Sequence, residues 1–231
     1  MFSIIIPTYN EEEKIGELIR HLRESAGSRE IEILVIDGGS SDHTIEEARK
    51  AGAKAMISPQ KGRAHQMNYG ARQAGGKWLY FLHADTIPPD SFVEDMRRAI
   101  ENGANSGCFR LAFDMEHWAL KLYAWFTRFD VDLFRFGDQS LFVEKAVFEE
   151  IGGFDESLIV MEDQEIVRRI KRYSQFRLIP KAVVTSGRRY ERIGFFKLQL
   201  IFTIIVLLYY LGVQQETIVK FYRSQMISNA Y

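Results

Sequence analysis

The first 105 residues alternate short, continuously apolar runs with longer amphipathic ones, and that rhythm leaves few folds open. Residues 2–7 are β-branched and apolar without interruption, which suits a strand buried on both faces. Asn10 and Glu13 form a capping-box pattern ahead of Ile15, Leu18, Ile19 and Leu22 at helical spacing. A second buried strand over 31–36 ends in Asp37-Gly38-Gly39-Ser40-Ser41-Asp42. A helix over 45–51, a weak third strand at 55–58, a helix over 63–74 and a fourth buried strand over 78–82 follow. Strands and helices in this alternation predict a parallel sheet covered on both faces.

After residue 105 the rhythm breaks. Strands are expected at 106–113, 141–143 and 176–185, the last containing Pro180, and helices at 118–129, 145–151 and 166–173. With no internal repeat, low-complexity tract or proline-rich linker, the chain does not divide into independent domains. It reads as two halves, 1–105 and 106–190, followed by a helical appendage at 191–231. Within the appendage, 193–213 is apolar all round apart from Lys197 and Gln199, which marks a helix buried in protein or in lipid. A bilayer needs about 20 apolar residues, which this run only just supplies. Packing on the domain or on a second copy, lying on a membrane surface, and passing into lipid all remain open.

Thirty basic and 31 acidic residues give a net charge of −1, which argues against a nucleic-acid partner bound by phosphate neutralisation. A nucleotide-sized ligand is still compatible. The single cysteine, Cys108, excludes an internal disulfide and any multi-cysteine zinc site, and its place in a strand reads as core. The N-terminus has no basic segment or cleavage pattern and runs straight into a strand. Residence in the cytoplasm is therefore expected, at the inner face of the membrane if 193–213 meets lipid.

Ligands of open α/β sheets bind at the carboxyl ends of the parallel strands. Polar residues fall there three times: Pro7-Thr8-Tyr9-Asn10-Glu11, Asp37 with two glycines, and His83-Ala84-Asp85. Asp37-Gly38-Gly39 reads as a turn and helix cap, or as a loop whose glycines let a flat ring approach while Asp37 accepts a base N–H. Asp85 follows a strand too apolar for the surface, so its carboxylate needs a partner in a cleft. Magnesium or manganese on a diphosphate would satisfy it, as would a helix starting near Asp90. His83 alone is as consistent with a structural role. Glu162, Asp163 and Glu165 open a helix, where the macrodipole favours acids in any case. No dinucleotide glycine pattern and no Walker A string is present.

Taken in order, these strings resemble family 2 of the inverting nucleotide-sugar glycosyltransferases. They are Ile4-Ile5-Ile6-Pro7-Thr8-Tyr9-Asn10-Glu11, Val35-Ile36-Asp37-Gly38-Gly39-Ser40-Ser41-Asp42-His43-Thr44, Lys61-Gly62-Arg63 and Asn68-Tyr69-Gly70-Ala71. Phe81-Leu82-His83-Ala84-Asp85 and Ile151-Gly152-Gly153-Phe154-Asp155-Glu156, leading into Glu162-Asp163, complete the set. The resemblance runs from residue 2 to about residue 175. Asp37-Gly38-Gly39-Ser40 and His83-Ala84-Asp85 further resemble a bacterial arsenosugar-type subgroup.

The resemblance implies a GT-A fold: a Rossmann-like, mixed but mainly parallel sheet with helices on both faces, here with a C-terminal apolar helical segment. It implies a hexosyltransferase-type activity, with a UDP- or GDP-sugar as donor, Mn2+ or Mg2+ as cofactor and an acceptor that the sequence leaves unknown. Pro7, Thr8, Tyr9, Glu11, Asp37, Gly38, Lys61, Arg63 and Ala84 would bind the donor, Asp85 the metal, and Asp163 would be the general base. His83, Asp138, Gln139, Glu162, Arg188 and Arg189 are candidates for the acceptor or the diphosphate. His83 stands where the family's usual metal motif has Asp, and no Gln-x-x-Arg-Trp string follows Asp163, which disfavours a processive synthase. Two other readings stand beside the transferase. One is a non-catalytic nucleotide-sugar-binding module, motivated by the altered metal motif. The other, ranked below it, is a sugar-phosphate nucleotidyltransferase, which usually carries a glycine-rich basic loop after the first strand.

Overall fold

The computed structural model describes residues 1–135 and 137–227, and within them one mixed sheet carries the architecture. Its strands are β1 (Phe2–Thr8), β2 (Ile31–Asp37), β3 (Lys54–Ile57), β4 (Trp78–Phe81), β5 (Thr86–Ile87), β6 (Ser106–Phe113), β7 (Leu141–Glu144) and β8 (Phe176–Thr185). They lie in the order β3-β2-β1-β4-β7-β6-β8-β5. The first four are parallel, as the alternation of the first half predicts. β7 then runs antiparallel between β4 and β6, β6 and β8 pair in parallel, and the two-residue β5 closes the edge antiparallel to β8. The result is the mixed, mainly parallel sheet with flanking helices that a GT-A-like fold requires.

The β1 side chains show why both faces must be covered. Ile4, Ile5 and Ile6 are all 0% exposed, and successive residues point to opposite faces. Ile4 and Ile6 pack with Ile15, Leu18, Ile19 and Leu22 of α1 (Glu12–Ala26) and with Phe92 and Met96 of α4 (Phe92–Glu101). Ile5 joins Met67 and Ala71 of α3 (Arg63–Gln73) and Ile166 and Ile170 of α7 (Glu162–Tyr173). Each such side chain contributes about 1.5–3 kcal/mol through burial. Gly70 sets how closely α3 approaches, because a Cβ there would lie 2.5 Å from Ile5 Cγ2. Pro180 sits in β8 where the register shifts between Phe109 and Arg110, so no ladder hydrogen bond is asked of it.

Several boundaries differ from expectation. The Asn10–Glu13 capping box does not form: α1 starts at Glu12 without a side-chain cap, and Asn10 Oδ1 accepts the Ser41 N–H instead (2.9 Å). α7 begins at Glu162, where the acids were expected to open a helix, and α5 (Trp118–Phe126) is three residues shorter than expected.

The C-terminal apolar segment needs a larger correction. It is not one helix, and the option of passing through lipid is overturned. Gly194, at φ 101°, separates α8 (Arg188–Ile193) from α9 (Phe195–Tyr210), and Gly212, at φ 75°, turns the chain towards α10 (Gln215–Ile227). The 16 residues of α9 rise roughly 24 Å, short of a ~30 Å hydrocarbon core. Among the described residues no helix is long and apolar enough to cross a membrane. Leu198, Ile201 and Ile205 of α9 are instead buried with Leu120, Tyr190, Ile193 and Ile218 in a third core. The last four residues of the expected appendage lie outside the described residues.

Candidate active site

Two groups of residues gather along the carboxyl edge of β1, β2 and β4. The first is built on the loops after β1 and β2. Asp37 is fully buried, and its oxygens accept the N–H groups of Gly39 (2.8 Å) and Ser40 (2.7 Å) and the hydroxyls of Ser40 and Thr8. The Gly38 N–H donates to the Thr8 carbonyl (2.9 Å), lacing the two loops together. Beneath them the buried Gln66 amide of α3 donates to the carbonyls of Thr8 (2.9 Å) and Ile36 (2.7 Å). A Cβ on Gly38 would meet that amide at 3.2 Å, and one on Gly39 would lie 3.5 Å from Lys61 Cε. Pro7 is half-buried and Tyr9 is 59% exposed at the rim.

The second group surrounds the end of β4. His83 Nδ1 is 3.1 Å from Asp138 Oδ1, which arrives on the short 3-10 turn Gly137–Gln139. Burial alone would lower the His83 pKa, but the hydrogen bond to Asp138 and the nearby carboxylates outweigh it and the net direction is upward. Burial would likewise raise Asp138, yet its hydrogen bond and charge pairing with His83 hold it below the ordinary carboxylate value.

Glu162 and Asp163 occupy the first turn of α7, entered through Met161 in a left-handed conformation (φ 71°). Arg63, the first residue of α3, pairs with Glu162 and lies 3.2 Å from Asp163 Oδ2. Glu162 is fully buried, and one of its carboxylate oxygens has no partner among the described residues. Burial drives its pKa up; Arg63 opposes that and Asp163 adds to it, leaving it raised. Gly137 makes the convergence possible, since a Cβ there would overlap the Asp163 carboxylate and come within 2.9 Å of His83 Cε1.

Asp85 sits beyond β4, 3.5 Å from Arg188, which also pairs with Glu11 at 2.6 Å. Arg188 thus bridges the loops after β1 and β4. A cavity of about 440 Å³ opens beside Asp85 and is lined by Arg63, His83, Asp138, Asp163 and Arg189. Its lining also includes apolar and aromatic side chains of α5, α9 and α10. A more open hollow of about 570 Å³, beside Asn68, Phe148 and the 152–156 loop, contains none of these groups.

Asp85, Asp163, His83, Asp138, Arg63 and Arg189 therefore share one cavity. Asp37, Gly38, Lys61 and Thr8 form the adjoining loop pair and do not line it. Ala84 is buried between them, and Gln139 turns into the core, donating to the Phe109 carbonyl (3.1 Å). Among the described residues no group of three or more His, Cys, Asp or Glu could hold a metal ion unaided. Gly137, Gln66 and the apolar wall were not nominated from the sequence. Gly137 and Gln66 matter only through distant neighbours, and an all-apolar helix does not announce which of its faces lines a cavity.

Comparison with known proteins identifies the family and the fold. The family model described as "Glycosyl transferase family 2" matches residues 3–148. A dolichol-phosphate mannosyltransferase of Pyrococcus furiosus is 31% identical over 108 residues, which are 45% of this chain and 31% of that protein. The chain spans about a third of the length of the curated relatives it matches first. Two solved structures share the fold. TarS 1-349 of S. aureus in complex with UDP has a TM-score of 0.65 at 19% identity, covering 84% of this chain and 63% of that one. Mannosyltransferase PcManGT of Pyrobaculum calidifontis, in complex with GDP-Man and Mn2+, has a TM-score of 0.67 at 19% identity, covering 83% and 59%.

Proposed function

Since the chain belongs to glycosyl transferase family 2, we propose that it moves a sugar from a nucleotide-diphospho-sugar to an acceptor hydroxyl, with inversion at the anomeric carbon. One observation carries this reading: the Asp85 and Asp163 carboxylates line the same cavity as the cations Arg63 and Arg189.

Asp163 is the general base. Arg63, 3.2 Å away, fixes its orientation, and Gly137 leaves the carboxylate room to meet an incoming hydroxyl. The acceptor oxygen forms its bond to the anomeric carbon as its proton passes to Asp163. The bond from that carbon to the diphosphate oxygen breaks, and the electron pair leaves with the nucleoside diphosphate. A single displacement of this kind inverts the centre and needs no second carboxylate as nucleophile.

The donor nucleotide fits the loops after β1 and β2, with Pro7, Thr8, Tyr9, Glu11, Gly38 and Lys61 around it. Asp37 acts there through the loop it holds. A base N–H reaching its carboxylate would have to displace the Ser40 or Thr8 hydroxyl already bound. Arg189 and Lys61 supply charge for the diphosphate. UDP- and GDP-sugars are the donors to test first, in keeping with the UDP and GDP-Man in the complexes of the two structural relatives.

Asp85 offers a single carboxylate facing the cavity, a donor set that fits Mn2+ or Mg2+ completed by diphosphate oxygens. Bound there, such an ion would offset charge on the leaving diphosphate. His83 replaces the usual Asp of this motif, and its Nδ1 is committed to Asp138, so its part is to position that residue. The arsenosugar-type subgroup rests on Asp37-Gly38-Gly39-Ser40 and His83-Ala84-Asp85 alone.

Purified protein with Mn2+ and a panel of UDP- and GDP-sugars tests the proposal. Asp163→Asn should reduce transfer by about 10²–10⁴-fold while leaving donor affinity near wild type. Asp85→Ala should weaken metal-dependent donor binding. Equal loss of donor binding in both would assign Asp163 a structural role. Tight donor binding without turnover of any sugar would favour the non-catalytic module.

A further inference from the structure

Resting on the transferase reading, we propose that the apolar wall of the cavity is the acceptor subsite and that it takes a hydroxyl carried on an apolar alkyl or aryl body. A polyhydroxylated sugar acceptor does not suit it.

The wall comes from separate parts of the chain: Phe113 of β6, Tyr123 of α5, Val160, Phe202 and Val206 of α9, and Tyr222 of α10. These side chains are half-buried, and all but Val206 pack against the third core. At about 440 Å³ the whole cavity falls within the roughly 300–1,000 Å³ common for small-molecule sites. A sugar set against these apolar side chains would bear a cost for each hydroxyl left without a hydrogen-bond partner.

Polar groups are interspersed in the lining, among them Tyr123, Arg135, Gln164, Gln199 and Tyr222. Gln164 lines the cavity, is 5% exposed, and donates its amide N–H to the Leu133 carbonyl (3.2 Å). That contact fixes the amide orientation and leaves Gln164 Oε1 with no partner among the described residues. Arg135 also lines the cavity; its guanidinium donates to the carbonyls of Thr127 and Phe129, while its Nε has no hydrogen-bond partner among the described residues. Gln164 follows Asp163 in α7, and both residues line the cavity. One hydroxyl with an apolar body behind it meets the base there, and its single proton goes to Asp163 rather than to Gln164. The step is the one already given: the hydroxyl proton goes to Asp163, the oxygen bonds the anomeric carbon, and the nucleoside diphosphate departs with the electron pair.

The test is calorimetric titration of the full chain with 4-butylphenol, and with methyl glucoside as the polar counterpart. Saturable one-to-one binding of 4-butylphenol is expected, with no measurable heat from methyl glucoside. Val206→Arg, on the wall, should weaken the phenol at least tenfold. Leu207→Arg, next in sequence but 57% exposed and off the wall, should leave it unchanged. Phe202→Ser serves as the second wall variant should Val206→Arg fail to fold. Preference for methyl glucoside, or equal effects of the wall variants and Leu207→Arg, overturns the subsite. Donor hydrolysis by wild-type protein, with water as acceptor, is read separately. Its absence would sink the transferase reading, whereas its presence without phenol binding would sink only the subsite.

Discussion

Gly137 is the position where the site leaves least room for change. Its missing Cβ is the space into which the Asp163 carboxylate and the His83 ring project. Gly137→Ala should displace Asp163 by enough to lower transfer by about 100-fold, since misplacements near 1 Å have that effect. Donor affinity should hold, because the nucleotide loops lie elsewhere; steady-state kinetics beside a donor titration would check both. Cys108 gives a contrasting forecast. Burial pushes its thiol up to about 12, so at pH 8 it should react with a disulfide reagent only after unfolding. Cys108 was readable as core from its strand, and Asp85 and Asp163 drew notice from a strand end and a helix start. Gly137 and Gln164 carry no local pattern: each matters because of what another segment brings against it.

Among the elements, the 152–156 loop is held by Asn68 and, through the Gly153 carbonyl, by Arg169. Asn68 of α3 accepts the Phe154 N–H at 2.8 Å and donates to the Phe154 carbonyl and to Glu156, both at 2.9 Å. Gly153, at φ 72°, allows that approach, because a Cβ would come within 2.6 Å of Asn68 Oδ1. Asn68→Ala strands the buried backbone groups of Phe154 and should cost about 1–3 kcal/mol, read as a lower urea midpoint at constant slope. Element positions in the first half were legible because buried strands and amphipathic helices have distinct periods. Boundaries failed where a side chain found a distant partner. Asn10 abandons its cap for Ser41. The direction of β7 was not legible either, since three apolar residues read the same both ways.

Across the whole molecule, two cores sandwich the sheet and a third gathers α8, α9, α10 and α5 over the cavity. Phe113 packs against both the first and the third, which ties the C-terminal helices to the sheet through the cavity wall itself. One face of the apolar run is thus spent on the cavity and its core, while Phe196, Leu200, Leu207 and Leu211 stay exposed. Leu198, at 0% exposure, sits in that third core, and Leu198→Ala should remove about 2–5 kcal/mol from it. If this core can open by itself, amides of α9 and α10 will lose hydrogen-exchange protection while those of β1 and β2 keep theirs. Donor binding should then survive in the variant and 4-butylphenol binding should fall, because the nucleotide loops stand on the sheet and the wall stands on the helices. A uniform drop in protection across sheet and helices would instead make the molecule one cooperative unit, with donor and acceptor affinity failing together.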